Sequence, residues 1–125
     1  MENRGGNSPA EIGRAAEDRA LALLEQAGLS LLDRNFRCRL GEIDLVMRDG
    51  ASVVFVEVRQ RRSSRFGSAA ESVSAAKLRR VRAAAELWLR RSRCSSRARI
   101  DVVTLDGMPG NDPMIRWIRG ADAQE

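Results

Sequence analysis

Hydrophobic and polar positions along the chain repeat with two different periods, which separate predicted helices from predicted strands. A period of about 3.6 residues predicts a helix from Pro9 to about Ala27, ended by Gly28. The same period predicts a second helix over about 75–92, with Ser74 as its cap. Shorter alternating or fully apolar runs predict strands over 29–38, 42–48, 52–60, 100–105 and 114–119, the last of them at an edge. This α-β-β-β-α-β-β order predicts an α/β fold with a mixed central sheet flanked by helices.

Length and composition predict a single domain. A chain of 125 residues has the usual size of one domain, and 43% hydrophobic residues are enough for a core. We expect residues 1–8 to be a disordered lead, 9–120 to form the domain and 121–125 to be a C-terminal tail. The lead lacks the apolar stretch of a signal peptide, and no apolar run approaches membrane-spanning length. A cytoplasmic protein with no membrane partner is therefore expected.

Charge suggests a partner and restricts the chemistry. The chain carries 22 Lys and Arg against 17 Asp and Glu, and the excess is almost all arginine, which suits bidentate phosphate contacts. Nucleic acid is the predicted partner, and an ordinary soluble basic protein is the alternative. With no histidine, zinc-hydrolase and Ser-His-Asp schemes are largely excluded, and Cys38 and Cys94 match no zinc or disulfide framework. Any metal would be a hard ion held by carboxylates.

Two carboxylates fall on one face of the hairpin predicted from the second and third strands. The pair Asp49-Gly50 is typical of a tight turn, and with these two residues as the turn Asp44 would face Phe55. Asp44 and Glu57 would then be diagonal neighbours, roughly 7–8 Å apart at the backbone. Ionised carboxylates on apolar strands must be paired or bound to a metal, so this pair predicts a divalent-metal site. The alternative is a surface ion-pair network with neighbouring arginines.

Two further residues complete a candidate catalytic set. Glu17 lies beside the apolar stripe of the first helix and is a third candidate metal ligand, although it could also be a boundary residue that reaches water. Arg59 lies two residues beyond Glu57 on the same face, where it could stabilise transition-state charge but could not transfer a proton. Glu17, Asp44 and Glu57 holding Mg²⁺ or Mn²⁺, with Arg59, would suit phosphodiester hydrolysis.

A basic surface accompanies this set. The candidate nucleic-acid-binding residues are three arginines of the loop after the third strand and two residues near the start of the second helix: Arg61, Arg62, Arg65, Lys77 and Arg80. Lys77 is the basic residue we expect closest to the acidic face. The alternative for any one of them is an ordinary solvated surface charge.

Several of these segments together resemble a known family. Gly41-Glu42-Ile43-Asp44-Leu45-Val46 and Val54-Phe55-Val56-Glu57-Val58-Arg59 are similar to the uncharacterised YraN family of bacterial proteins, and the likeness covers roughly residues 10–118. That family is assigned by similarity to the restriction-endonuclease-like, PD-(D/E)XK nuclease superfamily, whose core is an αβββαβ unit. The resemblance implies that Glu17, Asp44 and Glu57 form the acidic site. The superfamily's lysine position falls on Arg59, which departs from its pattern.

The leading hypothesis is therefore a metal-dependent nuclease that acts on DNA. Branched or damaged DNA is suggested only by analogy with branched-DNA resolvases of this fold. The first alternative, motivated by Arg59, is a non-catalytic nucleic-acid-binding or scaffold protein that retained the nuclease fold. The second is an interaction module whose basic helix binds an acidic protein. Many nucleases of this fold are dimers, so a homodimer is one of the alternatives for this chain.

Overall fold

The helices and strands follow one another in the predicted order. A computed structural model describes residues 8–61, 73–107 and 112–123. The elements are α1 (Pro9–Gln26), β1 (Ser30–Cys38), β2 (Gly41–Asp49), β3 (Ser52–Arg61), α2 (Ala75–Arg91), β4 (Arg97–Asp106), β5 (Met114–Ile118) and a 3-10 turn (Ala121–Ala123). The predicted mixed α/β fold is confirmed, and β4 begins three residues before its predicted start at 100.

The strands form one five-stranded sheet in the order β1-β2-β3-β4-β5. β3 and β4 are parallel, whereas the other neighbours are antiparallel. Parallel neighbours need a crossover connection, and α2 lies between β3 and β4 in the chain. β3 occupies the centre of the sheet, which explains why Val53 to Val56 are buried on both faces.

Each helix covers one face of the sheet. On the α1 face, Leu24 packs with Leu45, Met47, Val54 and Val56 of the strands. On the α2 face, the helix residues Val81, Ala84 and Ala85 pack with Val46, Val53, Phe55 and Ile100. No helix in the described part of the chain is long and apolar enough to span a membrane. The three inner strands, β2, β3 and β4, contribute buried residues to both apolar layers.

The register of the β2–β3 hairpin differs from the predicted one. Asp49 pairs with Ser52, so the turn residues are Gly50 and Ala51 and not Asp49 and Gly50. Gly50 has a φ of 61°, the positive value that the first position of a favoured two-residue hairpin turn requires. Phe55 therefore faces Val46, not Asp44, which is a shift of two residues. Because side chains alternate with a period of two, this shift leaves the paired residues, 45–49 and 52–56, on their predicted faces.

A buried carboxylate joins β4 to the end of the chain. Asp101 is fully buried and accepts hydrogen bonds from Arg99 Nε (3.0 Å), Trp117 Nε1 (2.8 Å) and the Gly120 backbone N–H (3.0 Å). Nearby, Asp122 forms an ion pair with Arg82, with 3.2 Å between Oδ2 and Nη2. The residues after β5 are thus fastened to the domain as far as the structure describes them.

Candidate active site

The candidate site is built where β2 and β3 separate. Their backbone ladder ends at the pair Leu45–Val56, and beyond it Oδ2 of Asp44 accepts a hydrogen bond from the Val58 N–H at 2.7 Å. A side-chain oxygen thus takes the place of a backbone carbonyl in the ladder. The carboxyl groups of Asp44 and Glu57 share a hydrogen bond, so the two predicted neighbours lie close together, beyond the last backbone pair of the hairpin.

The backbone is irregular on the other side of Asp44 as well. In β1, Asn35 lies at the level of Asp44, between two pairs of the β1–β2 ladder, and has a φ of 56°. Few residues other than glycine adopt this left-handed conformation, and such strain is found often at functional sites. Ile43 and Val46 also pack in the same layer, although regular alternation would place them on opposite faces. Asp44 therefore lies at a break in the regularity of β2.

Glu57 is the buried member of the pair. Its residue is 3% exposed, and burial raises the pKa of its carboxyl to about 8, with further contributions from the charge of Asp44 and from a hydrogen bond between the two carboxyl groups. Lys77 and Arg59 act in the opposite direction, and the effect of Lys77 is the larger. The carboxyl group of Glu57 therefore favours its protonated form in the metal-free protein, and it shares a hydrogen bond with Asp44.

Lys77 is the cation nearest to this pair. Ser74 caps α2 by accepting a hydrogen bond from the Lys77 N–H at 3.1 Å, which starts the helix so that Lys77 lies in its first turn. Its Nζ lies 3.5 Å from Oε2 of Glu57. Lys77 was expected near the acidic face, and the structure places it there. Arg59 is half-buried on the same strand as Glu57.

Glu17 approaches the pair from α1 but is held by β1. Its Oε1 accepts from Arg34 Nε at 3.3 Å, and Asn35, with its amide nitrogen turned toward Glu17, donates to both carboxylate oxygens at 3.3 Å. Burial raises the pKa of Glu17, the charge of Asp44 raises it further, and the bonds from Arg34 and Asn35 oppose both effects. Glu17 also lines a cleft of about 480 Å³ between α1 and Val58. Glu17 and Asp44 thus interact electrostatically.

A divalent ion at this site would have to be held mainly by the carboxyl groups of Asp44 and Glu57. In the ranges that the structure describes, no three acidic, cysteine or histidine side chains lie close enough together to hold a metal. Mg²⁺, however, commonly takes only one or two protein carboxylates together with waters and substrate oxygens. Asp44 and Glu57 meet that requirement, and a metal would replace their shared proton. Glu17 is held by Arg34 through Oε1 and is not part of the pair.

The other candidate residues fall in different places. Lys77 and Arg80 both line a second cleft beside α2, whereas Arg61 ends β3 and its carbonyl accepts from the Gly107 N–H at 2.9 Å. The candidates Arg62 and Arg65 lie outside the described residues.

The sequence reasoning missed two residues of β1, Arg34 and Asn35. Asp33-Arg34-Asn35 interrupts an otherwise alternating strand, and this interruption is the signal that could have identified them. A run of polar residues within a strand often accompanies a break in its pairing.

Comparisons with known proteins identify relatives along most of the chain. A model of the uncharacterised protein family UPF0102 matches residues 16–105. A UPF0102 protein of Alkalilimnicola ehrlichii is 53% identical, with 97% of this chain and 96% of the relative covered. UPF0102 proteins of Janthinobacterium sp. and Halorhodospira halophila are 47% and 46% identical over 87% and 95% of this chain, and 85% and 93% of those proteins are covered.

Proposed function

Given that this chain belongs to the uncharacterised protein family UPF0102, the family expected from its resemblance to YraN proteins, we propose that it is a metal-dependent nuclease acting on DNA. The observation that carries the proposal is the buried Glu57, which shares a hydrogen bond with Asp44 and lies 3.5 Å from the ammonium of Lys77. Two carboxyl groups and one cation at a break in a sheet form a suitable set for phosphodiester hydrolysis.

A purely structural ion pair explains this arrangement poorly. A carboxylate kept only to pair with Lys77 would have a lowered pKa, because a nearby cation favours the charged form. The pKa of Glu57 is raised instead, so burial and Asp44 outweigh the lysine. Burying a carboxyl group costs free energy, and a valine in place of Glu57 would avoid this cost. The neighbouring residues of the strand, Val53 to Val58, are otherwise apolar. Perturbed buried carboxyl groups of this kind are concentrated at functional sites.

Each residue has a distinct role in the proposed reaction. Asp44 and Glu57 would hold Mg²⁺ or Mn²⁺, which when bound supplies an activated water and neutralises charge on the scissile phosphate. Asp44 is positioned for this by the N–H of Val58. The ammonium of Lys77 would bind a phosphate oxygen and stabilise the negative charge that develops there. Lys77 therefore takes the part that the superfamily pattern gives to the position of Arg59.

The test is cleavage of DNA by the purified full chain. Linear, nicked, flapped and four-way DNA are incubated with Mg²⁺ or Mn²⁺, and with EDTA as a metal-free control. We expect metal-dependent cleavage of at least one of these DNAs, with the activity lost in Asp44→Asn and retained in Asp18→Asn. Asp18 is a matched control because it is an exposed acid of α1. The proposed nuclease function is wrong if the protein cleaves none of these DNAs, or if Asp44→Asn cleaves them as fast as the wild type does.

Two observations favour a non-catalytic nucleic-acid-binding protein as the second candidate. Arg59 replaces the lysine of the superfamily pattern, and Glu17 is occupied by Arg34 at 3.3 Å. A protein of this kind would bind DNA with the same affinity in Asp44→Asn as in the wild type, and chelators would not change that affinity. Its binding would still weaken with salt, as phosphate contacts do.

Lys77→Ala should lower the cleavage rate by about 100-fold, the usual effect of removing one charge-stabilising group. It should also raise the pH at which metal binding is half-complete, because Lys77 lowers the pKa of Glu57. Rates and metal binding are measured over a range of pH for both proteins. Lys77→Arg keeps the charge and should restore the pH profile in part. An unchanged profile in Lys77→Ala would mean that Lys77 does not act on Glu57.

A further inference from the structure

A second cleft lies on the α2 side of the candidate site. Its walls are the turn that joins β1 to β2 and the first turns of α2, and its volume is about 450 Å³. We call it the hairpin groove, and it is lined by Arg37, Cys38, Arg39, Leu40, Gly41, Glu42, Lys77, Arg80 and Val81. The groove is separate from the cleft on the α1 side that Glu17 lines.

The hairpin groove has a large excess of positive charge. Four of its residues are basic and one is acidic, and the acid, Glu42, forms an ion pair with Arg37 at 3.6 Å. Arg39 and Arg80 are exposed, and neither has an acidic partner in the described part of the chain. Cations placed together repel one another, so this grouping is more easily understood if an anion bridges them.

The two walls of the groove are seated against each other. Gly41 in the hairpin faces the backbone of α2 so closely that a Cβ there would lie 2.9 Å from the Arg80 carbonyl oxygen. The thiol of Cys38 also donates to the Gly41 carbonyl oxygen at 3.4 Å, which closes the turn. Because only a residue without a side chain allows this approach, the groove is formed before any ligand arrives.

Lys77 connects the groove with the acidic pair. Lys77 lines the groove, and its Nζ lies 3.5 Å from Glu57. We propose that the hairpin groove binds the sugar-phosphate backbone of the DNA strand next to the scissile phosphate, with Arg39 and Arg80 as phosphate ligands. This inference rests on the proposed nuclease function and specifies where its substrate strand lies. Guanidinium groups suit phosphate oxygens because they can donate two parallel hydrogen bonds.

Binding of a fluorescein-labelled DNA flap, followed by anisotropy in EDTA, tests the groove without cleavage. Arg39→Ala and Arg80→Ala should each weaken binding roughly tenfold, the equivalent of one charge-assisted hydrogen bond. Each should also reduce the slope of log K against log salt by about one. Arg97→Ala is the control, because Arg97 is exposed, does not line the groove and lies in β4 beside Ser52, the first residue of β3. It should change binding little.

The outcomes separate the groove from the nuclease. If Arg39→Ala and Arg80→Ala bind the flap as tightly as Arg97→Ala does, the groove proposal is wrong, whatever Asp44→Asn does to cleavage. If both groove variants bind weakly and the wild type cleaves no DNA, the groove stands and the nuclease fails. Competition with polyglutamate distinguishes a site for DNA from a site that binds any polyanion. Displacement of the flap by polyglutamate at an equal concentration of charge would overturn a groove for DNA.

Discussion

Metal-free protein should lose stability as the pH rises from about 4.5 to about 8, and Glu57→Gln should remove most of that loss. The expectation follows from the burial of Glu57 beside Asp44, which raises the pKa of Glu57 to about 8 in the folded protein. In the unfolded chain the same carboxyl has its ordinary pKa near 4.5. The folded state therefore holds a proton that the unfolded state releases at lower pH.

The sign of the effect follows from proton linkage. Below about pH 4.5 the carboxyl is protonated in both states, and the stabilisation from its raised pKa is fully present. Between about 4.5 and about 8 only the folded state keeps the proton, so the free energy of unfolding falls as the pH rises. Each unit of pKa difference corresponds to about 1.4 kcal/mol, so the total loss is on the order of several kcal/mol.

Chemical denaturation in EDTA at several pH values measures this loss. Glu57→Gln keeps the shape of the side chain but has no proton to release, so its stability should depend less on pH and exceed that of the wild type at pH near 9. Glu25→Gln, an exposed acid in α1, should behave as the wild type does. Glu17 has a raised pKa as well and should account for part of the slope that remains. Equal slopes for Glu57→Gln and the wild type would contradict the assignment.

Added Mg²⁺ or Mn²⁺ gives a second readout from the same proteins. A cation that displaces the shared proton should stabilise the wild type increasingly as the pH rises, because less protonation then competes with it. Glu57→Gln should show a much smaller gain, since it offers a neutral ligand in place of a carboxylate. Stabilisation of the same size in both proteins would place the metal elsewhere in the chain.

Periodicity was sufficient to predict the elements of this fold, but not the register of the hairpin. The helices carry wide apolar stripes and recognisable caps, so their limits could be predicted to within a residue or two. At 49–51, however, two adjacent pairs can form the turn, and either keeps each side chain on the same face. The apolar pattern therefore cannot distinguish them. The observed pairing of Asp49 with Ser52 decides between them, and this pairing leaves no trace in the apolar pattern.

Strand alternation also made the acidic pair predictable. The hydrogen bonds that Arg34 and Asn35 donate to Glu17 could not be predicted in this way. Regular alternation puts Asp44 and Glu57 on one face under either register, so the pattern was enough to predict that they lie close together, although it did not predict the break in β2 at Asp44. The contact of Glu17 with Arg34 and Asn35 depends on a left-handed residue within a strand, which asparagine allows but does not require. Lys77 was placed near the site from its position in α2, yet its contact with Glu57 follows from the crossing of α2 over β3.

Asp101→Ala should destabilise the protein by about 3–5 kcal/mol, the usual cost of removing one partner from a buried ion pair. Asp101 is fully buried, and its loss leaves Trp117 Nε1 and the Gly120 N–H without their acceptor. Arg99 would keep only Asp49, whose Oδ2 accepts from its Nη2 at 2.8 Å. For a chain of this length, the melting temperature should fall by on the order of 10–20 °C.

Two further variants, Asp101→Asn and Asp18→Ala, show how much of the lost stability comes from the burial of Asp101 and how much from its charge. The asparagine keeps one oxygen for Trp117 or Gly120 and should cost less than the alanine. Asp18 forms a surface pair with Arg34 at 2.7 Å, and its loss should change stability by less than about 1 kcal/mol. Hydrogen exchange should show the earliest loss of protection in β5, which Asp101 holds through Trp117, while α1 stays protected. If Asp101→Ala lowered the free energy of unfolding no more than Asp18→Ala does, the hydrogen bonds of Asp101 would contribute little. The backbone pairing of β5 with β4 would then be what holds β5 in place.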